Sequence, residues 1–361
     1  MSGIKDVAKR AGVSISTVSN VLNKTKYVSP ELVKRVEQAV EELSYEVNPI
    51  ARSMKNKETG LIGVITEDLC GLFYPYVVRG INSVAMEKGY QILICDAQGT
   101  YGDQGAIVRE KELFKRLIAN RVDGIIFAST VSGEYKQEYF DQLRKEANKY
   151  KRTPLISLER DFTSVGIDSV YFDSYENAKK AVQHLVDCGC RKICHITGPL
   201  DLEIAKDRIR AYKNCLEENH LSYDKDMMIA LGDYSHQSGY TAMKKLLSQV
   251  PDMDGVFCGN DQMAIGALKA LNGTGKRVPE DIKMVAYDDV FLSSVVEPSL
   301  STIHIQKRHA GIEAAKILFH RIENPQEDCG KPIGIKMDAN LVIRQSTAGD
   351  GGADDWSLVD W

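Results

Sequence analysis

Residues 4–23 read Ile4-Lys5-Asp6-Val7-Ala8-Lys9-Arg10-Ala11-Gly12-Val13-Ser14-Ile15-Ser16-Thr17-Val18-Ser19-Asn20-Val21-Leu22-Asn23, and this stretch decides the fold of the amino terminus. The apolar residues of its first part recur at helical spacing, which predicts one buried helix face. Gly12 suits the end of that helix, and Ser14 suits the N-cap of the next one. Two short helices joined by a tight turn that contains Gly form a helix-turn-helix.

The second helix of this motif is predicted to turn Val18, Val21 and Leu22 inward. Its outward face then holds Ile15 and four small polar residues, Ser16, Thr17, Ser19 and Asn20. A third helix is predicted to begin at Ser29-Pro30, because Ser is a good N-cap and Pro a good first helical residue. The sequence therefore predicts a head of three helices within the first 47 residues.

A small polar helix face fits the major groove of DNA, and Asn20 could pair with the edge of an adenine. The charge distribution agrees: residues 1–57 hold ten Lys or Arg against six Asp or Glu, whereas the whole chain has a net charge of −4. A basic head on an acidic body is expected where one end alone touches phosphate. A three-helix module that binds another protein remains the alternative on composition alone.

The same residues closely resemble the head of the lactose/galactose-repressor (LacI/GalR) family of bacterial transcription regulators. The resemblance is carried by the stretch 4–14, by Thr17 to Asn23, and by later segments as far as Ala51-Arg52-Ser53-Met54. In that family the positions of Ile15, Ser16 and Asn20 read bases in the major groove. The full predicted DNA-contacting set is Ile15, Ser16, Thr17, Ser19, Asn20, Asn23, Arg52 and Met54.

Residues 48–59 are predicted to form a hinge helix and linker, with Asn48 as cap and Pro49 at the first helical position. A lone helix of about two turns is unstable in water, so it needs a partner surface. Family members pair two such helices in the minor groove and wedge a side chain between base steps. Met54 holds that position here, and Arg52 can reach phosphate; alternatively, Met54 packs under the core.

From residue 60 to about 346 the sequence alternates between strand-like and helix-like segments. This alternation predicts parallel sheets with helices on both faces. About 285 residues are more than one sheet usually needs, so we predict two similar doubly wound lobes. The predicted fold class is thus an all-α helix-turn-helix head followed by an α/β core, and ligands of such cores bind at the carboxyl ends of strands.

The family's core resembles periplasmic sugar-binding proteins, in which the chain crosses three times between the lobes. We expect these crossings near residues 190, 300 and 330. The resemblance implies an effector pocket between the lobes, lined by Phe73, Asp173, Arg208, Tyr234, Asn260 and Asp288. Each position has a structural alternative; Asn260 could be a helix cap and Phe73 a core residue.

These residue types suit a sugar, and they would also suit a nucleobase or an amino sugar. Two other functions stay open: a core that responds to a phosphorylated carrier protein, and a small-molecule-binding protein without a DNA role. The resemblance and the need for a two-fold operator partner imply a homodimer on palindromic double-stranded DNA.

Motifs of enzymes and cofactor sites do not occur: there is no Gly-x-Gly-x-x-Gly after a strand, no phosphate-binding loop and no nucleophile elbow. We therefore expect no catalytic residues, no cofactor and no metal. The eight cysteines lack a disulfide framework or a usual zinc spacing. Without a recognisable secretion signal or apolar span, we expect a cytoplasmic protein. The acidic segment 347–361 is expected to be a flexible tail.

Overall fold

The computed structural model describes residues 3–23, 26–45, 58–97, 104–131, 133, 136–327 and 331–352. The chain divides into two compact units, Met1–Thr59 and Gly60–Trp361. Within the described ranges, no helix is both long enough and apolar enough to cross a membrane.

The first unit contains three helices: α1 (Ile4–Ala11), α2 (Ile15–Asn23) and α3 (Pro30–Glu42). Gly12 ends α1 with a φ of 61°, a left-handed conformation that suits glycine. The small core of this unit is built from residues of all three helices, with Val7, Val18 and Val36 fully buried. The head predicted from the sequence is confirmed as three helices.

The second unit contains two six-stranded sheets, and we call each sheet with its helices a lobe. The sheet of the first lobe has the order β11-β5-β4-β3-β1-β2, and all of its strand pairs are parallel. Its strands are β1 (Leu61–Thr66), β2 (Gln91–Asp96), β3 (Gly124–Phe127), β4 (Leu155–Glu159), β5 (Asp168–Phe172) and β11 (Gly334–Met337). Its helices are α4 (Tyr74–Glu87), α5 (Gln104–Ala119), α6 (Lys136–Ala147) and α13 (Lys307–Glu323), with a 3₁₀ turn at Thr163–Val165.

The sheet of the second lobe has the order β12-β10-β9-β8-β6-β7. Its strands are β6 (Ile193–Thr197), β7 (Ile229–Leu231), β8 (Gly255–Cys258), β9 (Lys283–Asp288), β10 (Ser301–Ile305) and β12 (Ala339–Val342). Its helices are α7 (Ser174–Asp187), α8 (Glu203–Glu218), α9 (Lys225–Met228), α10 (His236–Gln249), α11 (Asp261–Leu271), α12 (Phe291–Val295) and α14 (Gln345–Ala348).

The two lobes predicted from the sequence are confirmed, with one exception to parallel pairing. The edge strand β12 runs antiparallel to β10. An edge strand has one neighbour only, so it can reverse direction without disturbing the rest of a parallel sheet.

The chain crosses between the lobes at three places. The first crossing lies between β5 and α7, near residue 173, because α7 packs on α8 and on the second sheet. The other two lie between β10 and α13 and between β11 and β12, near residues 306 and 338. The first crossing was expected near residue 190, after α7, but it lies before α7, so this expectation was wrong. The apolar face of α7 predicts that the helix packs on a sheet, but it does not indicate which of the two sheets.

The segment predicted as a flexible tail, residues 347–361, starts with residues that are folded onto the second lobe. Thr347 is buried, and its hydroxyl lies 2.6 Å from that of Ser301 and 2.9 Å from Nε2 of His184. The chain then continues through a 3₁₀ turn at Gly349–Gly351. Residues 353–361, with both tryptophans, lie outside the described ranges.

Candidate functional site

A cleft of about 700 Å³ opens between the lobes at the carboxyl ends of their strands. Its volume is in the range of small-molecule pockets, about 300–1,000 Å³. The first lobe contributes Glu67, Asp68, Gly71, Phe73, Tyr74 and Glu159. The second lobe contributes Pro199, Ile204, Arg208, Gly232, Asp233, Tyr234, Ser235, Asn260, Gln262, Asp288 and Val290.

Asp288 is the last residue of β9 and lines the cleft. Its φ is 104°, a strained value for a residue with a side chain. The Nζ of buried Lys307 holds this backbone by donating to the carbonyl oxygens of Asp288 and Asp289, at 2.7 and 2.9 Å. Burial raises the pKa of Asp288 to about 6, although the charges of Arg208 and Lys307 oppose that rise. A strained, desolvated carboxylate at a strand end is typical of a binding site.

The neighbouring Asp289 has a different role. Its carboxylate accepts hydrogen bonds from Nη1 of Arg344 at 2.7 Å and, on its other oxygen, lies 2.8 Å from Nδ1 of His304. Burial alone would raise the pKa of Asp289, but these bonds outweigh burial and hold the pKa well below its usual range. Asp289 is therefore a structural anion that fixes the loop on which Asp288 stands.

Arg208 lies within α8 and is 7% exposed. Its guanidinium stacks on the ring of Tyr287, 3.8 Å from the centroid, and donates to the carbonyl oxygen of Gly259. The Nε atom is buried without a hydrogen-bond partner among the described residues. The side chain is thus held in place with donor capacity to spare for a ligand.

Asn260 and Tyr234 form the wall beside Arg208. Asn260 caps α11 by accepting from the amide of Met263 at 2.9 Å, and it donates to the carbonyl oxygen of Tyr234 at 3.0 Å. Tyr234 has a φ of 68°, and its ring lies against Gly198, where a Cβ atom would overlap it. Asn260 is therefore a helix cap that also lines the cleft, so the structural alternative and the ligand role are compatible.

Phe73 precedes α4 and lies on the opposite wall, in the first lobe. Its ring packs edge-on against Tyr74, with centroids 5.3 Å apart. Five of the six residues predicted as effector contacts, Phe73, Arg208, Tyr234, Asn260 and Asp288, thus line one cleft.

Asp173 is the exception, because it is not among the residues that line the cleft. It lies at the first crossing and caps α7 by accepting from the amide of Glu176 at 3.0 Å. Its other oxygen forms an ion pair with Lys336, 2.6 Å away, near the third crossing. Asp173 therefore ties two crossing segments together, and we leave it out of the proposed ligand contacts.

This assignment predicts that Asp173→Ala lowers the free energy of unfolding by about 1 kcal/mol, mainly through the lost cap. Ligand affinity should stay within about twofold of the wild type, because no cleft contact is removed. Urea denaturation and calorimetric ligand titration measure the two effects. A loss of affinity of about tenfold or more at unchanged stability would return Asp173 to the ligand site.

Four acidic residues of the cleft, Glu67, Asp68, Glu159 and Asp233, were missed by sequence reasoning, and two of them lie at the ends of strands. Glu67 directly follows β1 and is 8% exposed, and Glu159 is the last residue of β4. Glu159 has a φ of 67° and accepts a hydrogen bond from the hydroxyl of Tyr74 at 2.9 Å. Burial and the nearby charge of Glu67 raise the pKa of Glu159. Their positions at the carboxyl ends of parallel strands are the signal that could have found them.

The predicted DNA-contacting face of α2 is largely accessible. Ile15 is 45% exposed and Ser16 is exposed, while Thr17 and Asn20 are half-buried. Ser14 caps the helix, with its hydroxyl accepting from the amide of Thr17 at 3.1 Å. Ser19 was expected to face outward but is 8% exposed, so it lies at the buried edge of this face. The side chain of Asn23 and all of Arg52 and Met54 lie outside the described residues.

The sequence brings three cysteines and two histidines close together along the chain, which would be the most plausible metal ligands: Cys188, Cys190, Cys194, His184 and His195. Cys190 donates to the carbonyl oxygen of Asp254, and His195 places Nδ1 2.9 Å from that of Phe257. Burial raises the pKa of the Cys190 and Cys194 thiols, each to about 12, so these cysteines are neutral core residues. Across the described part of the chain, no group of three or more metal-ligating side chains is found.

A family of bacterial regulatory proteins, the lacI family, matches residues 3–48, and a periplasmic binding protein-like domain matches residues 182–347. The chain is 35% identical over 346 residues to the HTH-type transcriptional repressor PurR of Pasteurella multocida, covering 96% of this chain and 98% of that protein. It is 34% identical over 325 residues to the ribose operon repressor of Escherichia coli, covering 90% and 94%. The structure of the Lac repressor dimer bound to operator and the anti-inducer ONPF is similar with a TM-score of 0.84 and 28% identity, covering 96% and 99%.

Proposed function

The chain belongs to the LacI family of bacterial regulatory proteins, and on this premise we propose that it is a ligand-responsive transcriptional repressor. It would bind a palindromic operator as a homodimer and take a sugar-like polar molecule into the cleft. Relatives at similar identity are named the transcriptional repressor PurR and the ribose operon repressor, so their names do not select one ligand. Such a repressor acts on the chromosome and therefore in the cytoplasm.

One observation carries this proposal: a head of the repressor type shares the chain with a cleft lined by polar residues of two lobes. Because Glu159 and Phe73 lie on one wall and Arg208 and Asp288 on the other, a ligand that bridges them favours one angle between the lobes. A change in that angle moves the first lobes of a dimer relative to each other, and with them the two hinge segments. Such coupling is typically worth about 1–3 kcal/mol.

The decisive experiment is fluorescence anisotropy of a labelled palindromic operator with a central C-G step, titrated at two salt concentrations. We expect tight binding that weakens steeply as salt rises, since Lys and Arg of the head displace counterions from phosphate. One member of a panel of sugars and nucleobases should then shift the affinity. If no duplex from a random-sequence selection binds above background, the chain is a binding protein without a DNA role.

Met54 is proposed to wedge between base steps at the operator centre, as the family resemblance implies for the side chain at this position. Met54→Gly should weaken specific binding by about tenfold or more, because a wedge contributes only on bent, specific DNA. Binding to a nonspecific duplex should change little, and Met54→Leu, which keeps an apolar wedge, serves as the matched control. Equal losses on both duplexes would show that Met54 packs elsewhere.

A phosphorylated carrier protein is the second proposed effector class, and the titration separates it from a metabolite. If no small molecule shifts operator affinity but a phosphorylated carrier does, the core responds to a protein. Catalysis finds no support in the cleft, because its described lining offers no Ser, Cys or His paired as nucleophile and base. The relatives are repressors as well.

A further inference from the structure

The described lining of the cleft carries a strong excess of negative charge. Its carboxylates are Glu67, Asp68, Glu159, Asp233 and Asp288, and its single cation is Arg208. Two further cations act on these carboxylates without lining the cleft, Arg160 on Glu67 and Glu159, and Lys307 on Asp288. Even with both included, acidic groups outnumber basic ones by five to three. Such a surface would repel an anionic ligand, because the repulsion between like charges is strong where water is excluded.

Arg208 does not reverse this charge. Its guanidinium is already stacked on Tyr287 and bonded to Gly259, and it lies beside Asp288. It can donate to a neutral hydroxyl or carbonyl oxygen of a ligand. A phosphate or carboxylate bound there would also have to approach Asp288, whose negative charge opposes it.

Glu159 and Asp288 occupy equivalent positions in the two lobes. Each is the last residue of a parallel strand, each lines the cleft, and each has a left-handed φ, of 67° and 104°. They are close enough for the charge of Asp288 to act on Glu159, together with the charges of Glu67 and Arg208. Two acidic groups that face one cleft cannot both be ionised without a counter-charge nearby. In the free protein a proton on Glu159, whose pKa is raised to about 8, relieves this repulsion, and a bound cation would do so in its place.

We infer that the ligand of this cleft carries a protonated amine on a hydroxylated body, as an amino sugar does, and that Glu159 and Asp288 bind the ammonium from opposite lobes. This inference rests on the proposed function and specifies its ligand. Phe73, Tyr74 and Tyr234 supply aromatic surface on both walls for the ring and for the positive charge. Asn260 and Arg208 remain for hydroxyl groups.

The test is calorimetric titration of the full chain with matched sets of compounds built on hexoses, pentoses and hexitols. Each set contains the free amine, its N-acetyl amide, the neutral parent and the phosphate. We expect at least one amine to bind tenfold or more tightly than its parent and its amide, with no measurable binding of the phosphate. An amide, parent or phosphate that binds as tightly as the amine, or no binding in any set, overturns the inference.

The variant Glu159→Gln separates a charge role from a structural one, because Gln keeps the shape and the bond to Tyr74. It should reduce the preference for amine over parent at least fivefold. Glu218→Gln is the matched control, since Glu218 is exposed and pairs with Lys179 at 2.8 Å on the surface. If Glu159→Gln weakens amine and parent equally, or weakens neither, Glu159 does not bind the ammonium.

Operator anisotropy on the same preparations keeps the two proposals apart. Salt-sensitive operator binding together with no amine preference would overturn the ligand class and leave the repressor function standing. A clear amine preference without operator binding would overturn the repressor function and leave the ligand class supported.

Discussion

Asp288→Asn weakens ligand binding by about 100-fold or more and abolishes the response of operator affinity to ligand, because it removes one partner of a desolvated charged interaction. Operator affinity without ligand should remain within about twofold of the wild type, since Asp288 belongs to the second compact unit and not to the head. Calorimetric titration and operator anisotropy measure the two quantities separately.

The physical reason lies in how the structure holds this carboxylate. Lys307 fixes the backbone through the carbonyl oxygens of Asp288 and Asp289, and the side chain of Asp289 is bound by Arg344 and His304. The strain of a φ of 104° is thereby stored in the free protein and not created on binding. An amide at this place keeps the shape but replaces one acceptor oxygen by a donor and removes the charge.

Asp252→Asn is the matched control, because it makes the same chemical change on the surface of the same lobe, where Asp252 pairs with Lys192 and its side chain is 68% exposed. It should leave ligand binding unchanged, as exposed ion pairs are worth little. An Asp288→Asn protein that still responds to ligand at wild-type concentrations would show that the cleft is not the effector site.

The head and most strands could be predicted from the sequence because each has a strong local pattern. The continuous apolar runs Leu61–Thr66 and Gly255–Cys258 predict strands with the same bounds that β1 and β8 have. No such run predicts β5, β10, β11 or β12, because polar residues interrupt these strands and half of β11 faces solvent. A strand of this kind is specified by its neighbours in the sheet and not by its own sequence.

The residues of the cleft likewise divide into those with a recognisable sequence signal and those without one. Asp288 and Arg208 were identified through motifs shared with a family, whereas Glu67 and Glu159 belong to no such motif. They become a site only when β1 and β4 bring their carboxyl ends to one edge of a sheet. Asp173 shows the converse: it matches a family position, yet its nearest partners here are the start of α7 and Lys336.

Gly266→Ala is expected to lower the free energy of unfolding by about 2 kcal/mol, since overpacking against a rigid neighbour costs about 1–3 kcal/mol or more. A Cβ atom on Gly266 would overlap the carbonyl oxygen of His236, at the start of α10. Gly239 of α10 stands equally close to the backbone of Met263 in α11, so the two helices cross at facing glycines. The higher helix propensity of Ala offsets about 1 kcal/mol, which is included in the expected value.

The first lobe repeats this arrangement, with Gly80 of α4 against Arg308 and Gly311 of α13 against Val77. The contact in the second lobe matters for function because Asn260, the residue that caps α11, lines the cleft. Pushing α11 away from α10 moves this cap and the carbonyl of Tyr234 that it binds. Gly266→Ala should therefore weaken ligand binding as well as stability, while the head still binds its operator.

Urea denaturation and ligand titration of Gly266→Ala provide the measurements, with Gly351→Ala as the control. Gly351 has open space where its Cβ atom would lie and no left-handed φ, so this change should be nearly neutral. If Gly266→Ala also proved neutral in both assays, α10 and α11 would be free to separate at little cost. The position of Asn260 would then be set by β8 alone, and ligand binding could not depend on how closely these helices pack.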